Sequence, residues 1–231
     1  MDSIILVDKP KGITSFGVIR ALRKRLGVRK IGHAGTLDPL ATGLMILGVG
    51  AGTKQLTALV KLDKEYIAEI RVGETRSTGD LEGEIIAEKS VTELSESQVE
   101  EVLASMIGVL TLPVSAYSAI KVDGVPMYKR ARKAEKIGEM VTDVPMRDMK
   151  VYGAELLASP ATIAIDRDSG GREAGSRVVV AVRFAVGSGT YIRSLAEEFG
   201  RRLGYPATLQ NLRRTKVGEF DIVDAKTLEE F

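Results

Sequence analysis

Residues 30–53 read KIGHAGTLDPLATGLMILGVGAGT. The second half contains an apolar run, Leu44 to Val49, with no charge to hold it at a surface, so it reads as a strand buried on both faces. The first half carries the only histidine of the chain, His33, and an acid, Asp38, set between a Gly-rich turn and a proline. An ionised carboxylate is costly to bury. An acid beside a buried strand therefore stays exposed, finds a partner or belongs to a site.

Working outward, residues 4–7 form a short apolar strand before the turn Lys9-Pro10-Lys11-Gly12. Thr14 or Ser15 caps a helix with apolar positions Phe16, Ile19, Leu22 and Leu26, stopped by Gly27. Residues 66–72 alternate as a strand, residues 74–83 read as a polar loop, and residues 85–87 as the hairpin partner of the strand. Ser95 and Gln98 fit a capping box for a helix reaching Met106. Residues 113–147 contain three prolines and a cationic helix over 127–137, and read as an insertion. Residues 151–157 and 161–165 are further strands, and residues 166–176 a polar, Gly-rich connection. Val178, Val180, Val182, Phe184 and Val186 line one face of the clearest strand. Ser188 or Thr190 then caps a helix over 191–203, ended by Gly204 and Pro206. Strands and helices intersperse without regular βαβ spacing, which predicts an α+β fold rather than a doubly wound sheet.

Composition removes several kinds of chemistry. The 231 residues include no cysteine and one histidine, which excludes disulfides, thiolate nucleophiles and multi-Cys or multi-His zinc sites. Any Ser-His-Asp triad would have to use His33. The four apolar residues at 4–7 are too few for a signal peptide, and no run approaches the roughly 20 residues of a membrane span. A cytoplasmic protein is expected. The net charge of +2 is unevenly spread. Residues 1–60 hold nine Lys/Arg against three Asp/Glu, residues 61–101 five against twelve, and residues 113–150 eight against five. Segregated positive charge suits a polyanion such as RNA. The glycines 48-50-52 lack the spacing of a dinucleotide fingerprint, and Gly52-Thr53-Lys54 has the wrong order for a phosphate-binding P-loop, so they read as scaffold.

Five segments combine specific residue types: KPKGITS from Lys9, GHAGTLDPLATG from Gly32, KEY from Lys64 with TGDLEG from Thr78, YSAIK from Tyr117, and GTYIRSL from Gly189 with RRTKVG from Arg213. Together they resemble the bacterial TruB-type pseudouridine synthases, which act on the uridine at tRNA position 55, and the likeness runs over essentially the whole chain. The resemblance implies a pseudouridine synthase fold, a mixed and mostly antiparallel sheet flanked by helices. It implies one catalytic domain over residues 1–231, with residues 113–147 as an RNA-gripping thumb and no C-terminal RNA-binding (PUA-like) domain. It also implies an isomerisation without cofactor or metal. Asp38 matches the catalytic aspartate, whether as a nucleophile at C1′ or as a base at the 2′ position. Tyr66 matches the tyrosine that stacks on the base, Tyr191 the residue packed beside it, and Arg193 the ion-pair partner of Asp38. His33, Lys9, Lys121, Arg213 and Arg214 are the expected RNA contacts. The expected partner is the T-stem and T-loop of tRNA, with no membrane, no protein partner and a monomeric chain. The competing readings are a tRNA-folding chaperone with secondary catalysis and a synthase of another RNA site. Three departures stand out: GHAG where many relatives have GHTG, Val186-Gly187-Ser188-Gly189 where they often carry Cys-Ser-Lys-Gly, and a chain that stops at Phe231.

Overall fold

The computed structural model describes residues 3–91, 93–139, 141, 143–164 and 176–231. In chain order the elements are β1 (Ser3–Lys9), α1 (Ser15–Leu26), β2 (Ile31–His33), β3 (Thr42–Val49), α2 (Leu56–Leu59), β4 (Lys64–Val72), β5 (Glu74–Arg76), β6 (Ile85–Glu88), α3 (Glu96–Ser105), β7 (Gly108–Pro113), β8 (Lys121–Val122), β9 (Val125–Pro126), α4 (Met127–Glu135), β10 (Met146–Leu156), β11 (Ala161–Ala164), β12 (Ser176–Val186), α5 (Ile192–Leu203), β13 (Ala207–Val217) and β14 (Phe220–Asp221). The architecture is α+β, with mostly antiparallel pairing. The chain forms two compact units. One holds Met1–Ala68, Arg183–Gly189 and Asn211–Phe231, the other Glu69–Val182 and Thr190–Gln210. Strands β4, β12 and β13 supply residues to both.

In the first unit β3 is the organising strand. It pairs antiparallel with β1 from Ser3↔Val49 to Lys9↔Gly43 and with β2 from Ile31↔Val49 to His33↔Leu47, and it meets β13 in parallel at Arg213↔Thr42 and Arg214↔Gly43. Leu44, Met45, Ile46 and Leu47 are fully buried, so both faces of the run are covered as expected. Leu44 and Ile46 pack with Ala34 and Val217 against Ile4, Leu6, Leu56 and Phe220. Burying each such aliphatic side chain contributes about 1.5–3 kcal/mol. Helix α1 is capped by Thr14, whose side chain accepts from the Gly17 amide, and it ends on Gly27 at φ 67°. Its buried positions are Ser15, Val18, Ile19 and Leu22. Phe16, expected on that face, is 58% exposed and lies under the Arg23 guanidinium at 5.7 Å. With about 3.6 residues per turn the buried face is centred on Ser15, Ile19 and Leu22, and Phe16, about 100° round from Ser15, falls at its edge.

In the second unit the order is β12-β10-β7, with β11 on β12. Strands β7 and β10 pair from Gly108↔Val151 to Pro113↔Met146. The Ser95–Gln98 capping box is formed, and α3 runs into Met106. The hairpin differs from expectation: β6 pairs with β5, not with β4, so part of the supposed loop is a strand. Charge explains this. Glu74 is 1% exposed and meets Arg76 at 2.7 Å, Arg177 at 3.3 Å and Arg71 at 3.6 Å, while Arg177 also meets Glu88 at 2.7 Å. This polar cluster buries a segment that reads as solvated from its composition. Helix α5 begins on Tyr191 with no side-chain cap, so neither Ser188 nor Thr190 fills that role. Most of the expected connection over 166–176 lies outside the described residues.

Candidate active site

The segment from Ala34 to Ala41 turns from β2 into β3 in the first unit. It is pinned from below by residues 9–15. The Lys9 ammonium is fully buried and donates to the carbonyls of Pro10 at 2.9 Å, Pro39 at 3.3 Å and Ala41 at 2.5 Å. The Gly12 amide donates to the Pro39 carbonyl at 2.8 Å. The Ser15 hydroxyl donates to the Leu37 carbonyl at 2.9 Å and accepts from the Leu37 amide at 2.8 Å. The Ala41 amide closes the turn on the Asp38 carbonyl at 3.1 Å. Asp38 is half-buried on this clamped turn, its neighbours Leu37 and Leu40 anchored in the core. Gly43 ends the turn at φ 103°, and a Cβ there would sit 2.3 Å from the Arg214 carbonyl oxygen.

Positive charge is concentrated beneath the same segment. Arg214 is 1% exposed and donates to the carbonyls of Leu44 at 2.8 Å and Gly35 at 3.4 Å. Desolvation lowers the His33 pKa below the usual value for histidine. The Gly35 backbone opposes the shift and the Arg214 charge adds to it, so burial favours the neutral ring. Lys64 is held down to about 8, first by desolvation and then by the Arg214 charge. Its ammonium donates to the Val60 and Leu62 carbonyls and to the Ser188 hydroxyl. Tyr66 follows two residues along β4 on the same face and is 7% exposed.

The expected RNA contacts therefore divide into two kinds. Lys9 and Arg214 are not surface cations: their charges are consumed by backbone carbonyls of the turn and of β3. Arg213 is partly exposed and bound to Asp8 at 2.7 Å. Lys121 is exposed on the β8–β9 hairpin of the second unit.

In the second unit Tyr191 opens α5, and its amide donates to the Met149 sulfur at 3.5 Å. Arg193 is 6% exposed. It donates to the carbonyls of Thr78 at 2.8 Å and Tyr117 at 3.1 Å, and it lies 3.7 Å from the Asp80 carboxylate. Asp80 is itself 3% exposed and accepts from the Thr78 hydroxyl at 2.6 Å and the Glu82 amide at 3.1 Å. Glu197, one turn beyond Arg193, has a raised pKa because burial outweighs the Arg193 charge, with Asp80 adding to the rise. A cavity of about 400 Å³ is lined by Glu197, Tyr117, Arg76 and Glu135, among others. Asp80, Ser15 and Lys64 stand within the motifs, but residue type alone assigns them no part in a site. Each is a polar side chain next to an expected site residue in sequence or in space, and its burial is visible only in the fold. Among the described residues no group of three or more His, Asp or Glu side chains is arranged to hold a metal ion.

Comparison with solved structures defines the class. The chain aligns over 98% of its length with a chain in the crystal structure of a Cbf5-Nop10-Gar1 complex, at TM-score 0.67 and 27% identity. It aligns equally far with one in an H/ACA RNP bound to a substrate RNA containing 2′-deoxyuridine, at 0.64 and 26%. It spans about half the length of those two chains, 52% and 51%. The fold is that of the pseudouridine synthases, RNA-uridine isomerases. Residues 23–192 match the profile of the TruB family pseudouridylate synthases, N-terminal domain, and the chain belongs to that family. It is 40% identical to a tRNA pseudouridine synthase B of Leifsonia xyli over 97% of this chain and 70% of that protein. It is 40% identical to one of Paenarthrobacter aurescens, over 100% and 69%. For one of Thermobifida fusca the identity is 37%, over 99% and 74%.

Proposed function

We infer that the chain converts the uridine at position 55 in the T-loop of tRNA to pseudouridine. The observation that carries this is the clamped Asp38 turn, set in a chain about 40% identical along nearly its whole length to proteins named tRNA pseudouridine synthase B. The N1–C1′ bond of uridine breaks, the base turns, and C5 joins C1′. C5 loses a proton and N1 gains one, so the composition is unchanged. Asp38 supplies the carboxylate for either opening step, addition to C1′ or removal of the 2′ proton. A carboxylate held on a rigid turn meets the reacting atoms without reordering, which is where much of an enzyme's advantage arises. Tyr66 and Tyr191 offer faces to a base that must leave its stack, at about 1–3 kcal/mol per stacked base. Arg193, fixed by two carbonyls and Asp80, pairs with Asp38 in the working enzyme.

The remaining assignments rest on the same reading. Residues 1–231 work as one catalytic domain without metal or cofactor, with residues 113–147 as the thumb. Lys121, Arg213 and the exposed cations of α4 meet phosphates of the T-stem and T-loop, and His33 packs against the opened loop as a neutral ring. Lys9 and Arg214 serve from beneath, through the carbonyls they hold. The protein acts as a monomer in the cytoplasm. No helix among the described residues is long and apolar enough to cross a membrane. Mapping pseudouridine in tRNA transcripts incubated with the purified chain tests the assignment. Modification at position 55 is expected, and modification confined to another site, or none, overturns the substrate.

A further inference from the structure

Ser15 opens α1 yet spends its side chain on another segment. Its hydroxyl is 3% exposed and makes two hydrogen bonds, donating to the Leu37 carbonyl and accepting from the Leu37 amide. Both backbone groups of a single residue are thus taken by one side-chain oxygen, away from competing water. Leu37 directly precedes Asp38, and its own side chain is 4% exposed. With both peptide groups of Leu37 held, the direction in which the chain enters Asp38 is set. On the far side, Lys9 and Gly12 hold the carbonyls of Pro39 and Ala41. Asp38 is therefore bracketed by contacts from a segment more than twenty residues earlier, and the Ser15 contact is the one nearest to it on the incoming side.

We propose that Ser15 is a positioning residue of the reaction, its hydroxyl clamping Leu37 so that the Asp38 carboxylate meets the target nucleoside in a reactive geometry. The proposal rests on the reading of Asp38 as the catalytic carboxylate. Removing the hydroxyl leaves a buried amide and a buried carbonyl without partners, and the turn shifts or loosens to reach water. A displacement of about 1 Å at a reacting group costs about 100-fold in rate. The chemical step slows while the RNA-binding surface stays as it was.

The test compares wild type, Ser15→Ala and Asp38→Asn by single-turnover pseudouridine formation at saturating enzyme, by Kd for a T-arm RNA, and by amide hydrogen exchange. For Ser15→Ala the rate is expected to fall about 10–100-fold. Kd stays within about twofold, and exchange speeds up at the Leu37 amide but not in β3. A role in stability alone lowers the melting temperature and leaves the rate per folded molecule unchanged, and that result overturns the proposal. So does a loss that appears wholly in Kd. If Ser15→Ala does not fold, Ser15→Cys takes its place. Its longer, weaker hydrogen bonds are expected to give a loss of about 3–10-fold, and a wild-type rate overturns the proposal. Turnover by Asp38→Asn equal to wild type would instead remove the reading on which the proposal stands.

Discussion

Lys64 is a charge placed where charge is costly. Its ammonium has three acceptors, yet desolvation and Arg214 bring its pKa from 10.5 to about 8. Between those values the unfolded chain binds the proton and the folded chain does not, so folding stability rises as pH climbs from about 8 towards 10.5. Below pH 8 the folded protein carries the full cost of a buried cation. Lys64→Met removes this dependence. Denaturant unfolding at pH 7.5 and pH 10 should show wild type gaining on the variant by on the order of 1–2 kcal/mol, partial solvent access having trimmed the full linkage value. Parallel stabilities at the two pH values would show that Lys64 titrates normally. His33 obeys the same sign at lower pH: its lowered pKa withdraws stability as the solution is acidified below about 6.5.

Elements that announce themselves by composition are those whose signal lies wholly in their own residues, as an apolar run, an alternation or a local cap. The run over Leu44–Val49, the alternation of Val178 to Val186 and the Ser95–Gln98 box are of this kind, and all three form as read. Strand β13 is different. Its sequence, ATLQNLRRTKV, is polar enough to pass for a surface connection. Arg214 can lie in it, 1% exposed, only because the Leu44 and Gly35 carbonyls lie opposite, about 170 residues earlier in the chain. Strand β5 is hidden for the same reason, since Glu74 needs Arg71, Arg76 and Arg177 around it. The candidate site is written in the sequence as a set of motifs, whereas the clamp on Asp38 is not, because Ser15 and Lys9 act through backbone groups whose position no residue type encodes. Gly43 gives a test at this scale. Ala in its place would have φ 103° and a Cβ 2.3 Å from the Arg214 carbonyl oxygen, so β3 and β13 would have to part. Strain of that kind costs about 1–3 kcal/mol before the clash is counted. Gly43→Ala should therefore lower unfolding free energy by at least about 2 kcal/mol, and a change below about 0.5 kcal/mol, within the range of an ordinary surface substitution, would refute the close approach.

At the scale of the whole molecule the modest net charge conceals a division of labour. Buried cations serve the backbone, Lys9 and Arg214 the turn and β3 and Lys64 the connection after α2, while α4 and the residue after it carry Lys129, Arg132, Lys133 and Lys136 towards solvent. If those cations grip phosphates, replacing Lys129, Arg132 and Lys133 with Gln should weaken T-arm binding. The salt dependence should also flatten, by about 0.7–0.9 in slope for each phosphate that is no longer neutralised. Unchanged slopes would move the RNA surface elsewhere. The proposed function places catalysis on Asp38, and Asp38→Asn with a T-arm RNA is the most direct test of that claim. Pseudouridine formation at position 55 should disappear while RNA affinity stays close to wild type, and turnover by the variant at the wild-type rate would contradict it.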